Sequence, residues 1–564
     1  MLDDRVDRVS ADDAAPIAAA TPWQAGAAAV PALLLAACAG GSGDGGGTPT
    51  ASAPVTVLPA AITATQASRF LAQATMGGTR AMIDSVISRR YEGWIDDQFA
   101  MPRATSHWDW LVANGYNASA NINSEAGFDA SLWRQMIVEP DQLRQRVGMA
   151  LLDLLVVGIG GVNLSWRPFA VGAYVDLLLD NAFGNYRTIL DAITTNAAMA
   201  SFLTFLGNRK ANAKTGAQPD ENYARELMQL FTLGLYQLNM DGSVRTANGV
   251  PLETYGPADV SGLARVFTGL SLATSDNSTP DRLRKPLVMN SAINETGATS
   301  FLGATVSGGG MAAIKTALDT IFAHPNLPPF VSRQLIQRLV TSNPSPAYVG
   351  RVAAAFADNG AGVRGDMKAV IKAILLDSEA RSDTALTSAS AGKLREPVMR
   401  LTAWARLAKV NSPSNAWAFG DTSSQSTRLA QSMGRSQTVF NFFRPAYTPP
   451  ASAIGSAGLV APEFQITNEQ SVVAYVNYMQ GLIANGAGDA KPDYADLIAK
   501  AGDSAALVDE INTVLAAGQL GTATVSAIRA AVDSVAATAT DGPINRVGIA
   551  LLLTLASPEF LTLR

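Results

Sequence analysis

The sequence predicts a mostly α-helical protein: one large multi-helix globular body with a small β-hairpin inserted near residues 235–256. Three observations carry this reading. Apolar residues recur at helical spacing in segment after segment, whereas strand-like alternation is rare. The dipeptides Asp241-Gly242 and Asn248-Gly249, which favour tight turns with positive φ, fall together in one short stretch. The 564 residues are 48% hydrophobic and 16% charged, which supports a large core with a lightly charged surface.

Residues 1–60 read as a signal-like segment and a flexible tether. The stretch 26–54, "GAAAVPALLLAACAGGSGDGGGTPTASAP", is an apolar run of signal-peptide length followed by a Gly/Ser/Thr/Pro linker. Leu35-Ala36-Ala37-Cys38 resembles a bacterial lipobox, making Cys38 the lipidation candidate. The stretch before it is acidic, where a signal peptide normally carries positive charge. The expectation is export to the periplasm or the outer membrane and cell surface, with the membrane met only through an acyl anchor on Cys38.

Residues 61–564 read as the helical domain, with a helical subdomain from about 467. "ATQASRFLAQATM" opens it, and "TRAMIDSVISR" starts with a threonine in N-cap position. "YEGWIDDQFA" comes next and is closed by Pro102. "PDQLRQRVGMALLDLLVV" opens on Pro-Asp and turns wholly apolar except for Asp153, so it reads as a buried core helix. "NYRTILDAITTNAAMASFLTF" continues the helical pattern, the hairpin interrupts it, and residues 271–310 read as a long surface excursion. Helical stretches resume at 311 and run through "KLREPVMRLTAWARLA"; the aromatic, proline-rich "FNFFRPAYTPP" follows at 440–450, and the tail from about 467 is again helical, with polar linkers near 485–492 and 534–543.

"QPDENYARELMQLFTLGLYQLNMDGS" (218–243) is the densest polar segment. A helix starting near Asp220 would put Asn222, Arg225, Glu226 and Gln229 on one stripe, with Tyr223, Leu227, Leu230 and Phe231 beside it. Asp220 suits the N-cap and Glu221 the first turn. A capped amphipathic helix explains these residues without function. A cleft lined by them, joined by Arg209, would instead hold a polar or anionic ligand. Asn441 and Arg444, set among Phe442, Phe443 and Tyr447, fit either a sugar-binding surface or a packed loop clamp. His324, ahead of Pro325, is expected at a helix end, where a histidine favours the dipole, as a cap or core residue.

These segments, taken in order, resemble the bacterial family known as domain of unknown function 1800. The likeness runs over roughly 64–564 and includes "DENYARELMQLFTLGLYQLN", "DVSGLARVFTGLS", "PFVSRQLIQRLVTSNPSPAYVGRVAAAF" and "FNFFRPAYTPP". The resemblance implies a mostly helical, often exported bacterial protein and no established activity. Relatives often carry a His and a Lys ahead of "FLG"; here Asn294 and Thr299 stand at those places.

Two functions are consistent with these residues. One is an envelope or surface-associated binding or assembly protein with a protein or glycan partner. The other is a histidine-independent hydrolase or lyase acting on an extracytoplasmic polymer, with Asp220 or Glu226 as acid/base and Arg225 as anion clamp. One cysteine and two histidines leave little for a cysteine-based metal cluster or a histidine-assisted nucleophile, and no metal or cofactor is expected. A formal net charge of −5 carries no basic footprint for nucleic acid.

Overall fold

The computed structural model describes residues 61–103 and 105–564, so Cys38, the lipobox-like segment and most of the tether lie outside the described residues. The body is mostly α-helical, and its regular sheets among the described residues are four antiparallel pairs of very short strands. None of the described helices is long and apolar enough to cross a membrane.

Local chemistry sets where the helices begin. Thr63 caps Ala64–Ala74 through a reciprocal capping box with Gln66, and Thr79 accepts the Met82 N–H at the head of Arg80–Ala100. That second helix breaks at Arg90, where φ is 60°, in the gap between the two periodic stretches of the sequence. Gln142–Leu154 is the central helix, with every residue except Arg144 buried. It packs against Arg80–Ala100, Arg167–Asp180 and Leu327–Leu339, and thereby carries Asp153 into the interior.

The hairpin forms where the turn dipeptides lie. Thr246–Ala247 pairs with Val250–Pro251 across Asn248 and Gly249, whose φ values are 52° and 80°. Bridges between Tyr236 and Glu253 and between Leu238 and Val244 extend it. The buried Asn326 fastens the hairpin to the start of helix Leu327–Leu339. Its Oδ1 accepts the Leu238 N–H at 3.0 Å, and its Nδ2 donates to the carbonyls of Leu233 at 3.1 Å and Tyr236 at 2.8 Å.

The aromatic loop is clamped onto the end of the central helix. The Ile159 N–H donates to the Gly434 carbonyl at 2.8 Å. Gly158 lies so close to the loop that a Cβ there would overlap the Ser436 carbonyl oxygen. Further on, Ser504–Ala516 packs on the first helix, with Ser68 Oγ donating to the Val514 carbonyl at 3.1 Å. Lys393–Leu394 pairs with Thr562–Leu563 at the end of the chain.

One local expectation is revised. The segment after Asp220 is one turn of α-helix, Asn222–Glu226, which widens into a π-helix over Leu227–Thr232. The wider turn breaks the 3.6-residue stripe and rotates Gln229 away from Arg225 and Glu226. His324 does end helix Gly310–Ala323, as a neutral ring: Nδ1 accepts the Asn326 N–H at 3.1 Å, and burial together with Arg364 lowers its pKa.

Candidate functional site

Asp220, Glu221 and Arg225 are held by nearby partners, whereas Glu226 Oε2 is buried with no hydrogen-bond partner. Both carboxylate oxygens of Asp220 accept hydrogen bonds, Oδ1 from the Asn222 N–H at 2.8 Å and Oδ2 from Thr204 Oγ1 at 2.8 Å. The backbone of Asp220 is pinned to both ends of the Asn208 amide, at 2.9 and 3.0 Å. Asp220 therefore organises the entry to the helix. Arg225 is exposed and pairs with Glu221 at 3.1 Å, while Glu221 also accepts from Ser261. Glu226 is half-buried, and burial raises its pKa against the opposing pull of Arg225. Arg209 is an exposed loop residue. On the apolar side, Tyr223 stacks on Phe205 with ring centroids 4.0 Å apart and shares a 2.6 Å hydrogen bond with Thr194.

A different part of the same segment builds a cavity of about 380 Å³ beneath the hairpin. The π-helix and the chain after it supply Gln229, Leu230, Leu233 and Gly234. The hairpin supplies Leu235, Tyr236, Leu238 and Val244, and the aromatic loop supplies Val439, Phe440, Pro445 and Ala446. Helix Leu327–Leu339 forms the polar wall with Arg333, Gln334, Gln337 and Arg338, and the end of the central helix adds Asp153 and Leu154. Asp220, Asn222, Arg225, Glu226 and Arg444 do not line it. Arg444 instead lies over the Phe440 ring, 4.7 Å from its centroid.

The floor is polar and held from behind. Asp153 Oδ1 accepts from Asn441 Nδ2, while Oδ2 is buried without a hydrogen-bond partner. Arg338 Nη2 donates to the Asp153 carbonyl at 3.0 Å and Nη1 to the Gln334 side chain at 2.6 Å. Lys393 lies deeper still, its ammonium 2.9 Å from Glu463 and 3.3 Å from Glu396, and it donates to the Arg338 carbonyl at 2.8 Å. Gln431 Nε2 completes Glu396 at 2.8 Å. Asp153, Glu396 and Glu463 thus lie among Arg146, Arg338, Lys393 and Arg400, cations that offset the cost of burying their charge. Burial, reinforced by the negative charge of Glu396, pushes the Asp153 carboxyl up to about 7.

Of the residues singled out from the sequence, only Asn441 is drawn to this floor, and only through Asp153. In the aromatic loop Phe443 is buried with Ala430 and Ile466, while Phe440 and Arg444 are exposed. Asn294 and Thr299 have structural roles. Asn294 Nδ2 donates to the Thr268 carbonyl at 2.7 Å and its Oδ1 accepts the Gly310 N–H at 2.8 Å, while Thr299 Oγ1 donates to the Gly262 carbonyl at 2.9 Å. Sequence reading passed over Asp153 and Arg333. The one signal for Asp153 was a lone carboxylate inside an apolar helix.

The fold and cavity define a large helical protein with a preformed, mostly apolar cavity that opens between a hairpin and the aromatic loop. The chain belongs to the family described as "Protein of unknown function (DUF1800)", whose model matches residues 69–562. Neither the curated proteins nor the solved structures compared with the chain yield a match.

Proposed function

We propose that this is a binding protein of the bacterial envelope, whose cavity beneath the hairpin takes up an apolar group from a small molecule or partner. The cavity carries this reading. At about 380 Å³ it falls within the range of small-molecule sites, and it combines apolar walls with a few convergent polar groups. Leu235, Tyr236, Val244 and Phe440 are all exposed at its lining, so apolar surface continues from inside the cavity to its rim. Asp153 is the one carboxylate among the lining residues, and Asn441 already engages it, an arrangement suited to holding a ligand in place. The envelope part of the proposal rests on the lipobox-like Leu35–Cys38 sequence and the Gly/Ser-rich linker after it.

At roughly 0.3 kcal/mol per non-hydrogen atom, a ligand of about a dozen such atoms binds in the millimolar range. Calorimetric titration with 4-phenylbutanol is therefore the test, run on the intact chain and on Leu238→Trp, which places an indole in the cavity mouth. Binding by the parent and its loss in a Leu238→Trp protein of unchanged melting temperature is the expected result. Equal binding by both proteins would place the ligand elsewhere and sink the proposal. Cys38→Ser is expected to release the protein from the membrane fraction of cells expressing the full chain. Unchanged fractionation would remove the anchor.

A further inference from the structure

The cavity has two unlike sides, and the difference specifies the charge of what it binds. Helix Leu327–Leu339 turns four hydrogen-bonding side chains toward it, Arg333, Gln334, Gln337 and Arg338, while the facing walls are hydrocarbon. The donors on the polar side outnumber their acceptors. Gln334 Oε1 is occupied by Arg338, which leaves the Gln334 amide nitrogen without an acceptor among the described residues. Arg338 Nε is buried with no partner. The Arg333 guanidinium makes no hydrogen bond or ion pair with any described residue. Arg333 is exposed at the rim of the cavity, where neighbouring protein still removes part of its hydration and lowers its pKa. An exposed guanidinium that has no protein partner at the mouth of an apolar cavity is free to pair with an anion that enters it.

We propose that the cavity binds an organic anion of about a dozen non-hydrogen atoms, a carboxylate on an apolar body. The carboxylate pairs with Arg333 and takes the Gln334 amide, and the apolar body lies against Leu230, Leu238 and Phe440. The size follows from about 380 Å³ at the roughly 30 Å³ that one water occupies in the liquid. Asp153 is the one lining group of opposite preference, since an ionised carboxylate on the floor would favour an amine. Its upward-shifted titration leaves a large share of it protonated near neutral pH, which lessens its repulsion of an anion. This inference rests on the cavity being a binding site and adds the class of ligand.

The test compares three probes of one shape, 4-phenylbutyrate, 4-phenylbutanol and 4-phenylbutylamine, titrated calorimetrically into the intact protein at pH 6.5. The butyrate is expected to bind at least about tenfold more tightly than the alcohol, and the amine more weakly than either. Arg333→Gln is expected to remove the advantage of the butyrate while leaving the alcohol unchanged, and Arg333→Lys to restore part of it. Equal affinities for butyrate and alcohol, or a butyrate advantage that survives Arg333→Gln, would overturn the ligand class. In either case, continued binding of the alcohol that is blocked in Leu238→Trp would keep the cavity as a site. Tightest binding of the amine would assign Asp153 as the ionic partner and also overturn the proposal. Failure of all three probes at millimolar concentration would overturn both this inference and the binding reading beneath it.

Discussion

Asn441 Nδ2 donates to Asp153 Oδ1, so a loop 288 residues further along the chain is tied to a carboxylate at the buried end of the central helix. That bond sets the back of the cavity floor. It also makes the aromatic loop, with Asn441 itself at φ 57°, part of the same structure as the polar wall of helix Leu327–Leu339.

Asp153 makes stability depend on pH. Its carboxyl titrates near 7 in the folded protein and near the ordinary 3.8 when unfolded, because burial and Glu396 disfavour the charge. The folded state therefore binds more protons between these values, and stability from this group falls as pH rises from about 4 to 7. Asp153→Asn is expected to flatten that limb. Relative to the parent, its melting temperature should gain at pH 8 compared with pH 5, by an amount worth a few kcal/mol at most. Parallel melting curves for the two proteins across this range would refute the assignment.

His107 acts in the opposite sense at lower pH. It is buried, and burial, followed by the positive charges of Arg103 and Arg134, holds its pKa well below 6.5. The unfolded state takes up the proton first, so stability is lost as pH falls below about 6.5. Its Nδ1 is 3.2 Å from Ser131 Oγ, a contact a carboxamide can imitate. His107→Asn should reduce the loss between pH 7 and 5, as read by urea unfolding at the two pH values.

Lys393 should be among the most sensitive positions in the protein. Its ammonium stands between Glu396 and Glu463, and all three side chains are almost wholly removed from solvent. Lys393→Met would leave two buried carboxylates without their cation, at about 3–5 kcal/mol. A loss below about 1 kcal/mol in denaturant titration would show that the cluster does not depend on it.

Arg225 should be nearly silent. It is exposed and paired with Glu221 one turn away, an arrangement worth about 0–1 kcal/mol. Arg225→Ala is expected to keep its melting temperature within a few degrees and to bind 4-phenylbutanol as the parent does. A loss of binding at unchanged stability would return the site to the 218–229 segment.

Gly158 reports on the clamp. A methyl group there would overlap the Ser436 carbonyl, so the loop must move away. Gly158→Ala should cost at least about 1–3 kcal/mol and make residues 431–446 more readily cleaved in limited proteolysis. Unchanged cleavage would mean that the loop is held without this close approach.

The sequence by itself determined the helical class, the hairpin and most of the helix starts, because those depend on neighbours a few residues apart. Thr63 and Thr79 cap the helices that start beside them, Asn248-Gly249 supplies the positive φ of its own turn, and the apolar run around Met149 had to be buried. The family fingerprint was legible for the same reason, as unbroken stretches of residues. Only the tertiary structure decided where the site lies. Arg225 pairs with Glu221 and Asp220 is held by Thr204 and the Asn222 N–H, and a π-turn that no periodicity announces brings Gln229 and Leu230 to the cavity instead. The floor is assembled from Asp153, Arg338 and Asn441, far apart in the chain, and the fold sets the exposed Arg333 at the rim above them. Burial raises the cost of a charge and distant segments supply its partner, and neither quantity is written in a residue's immediate neighbours.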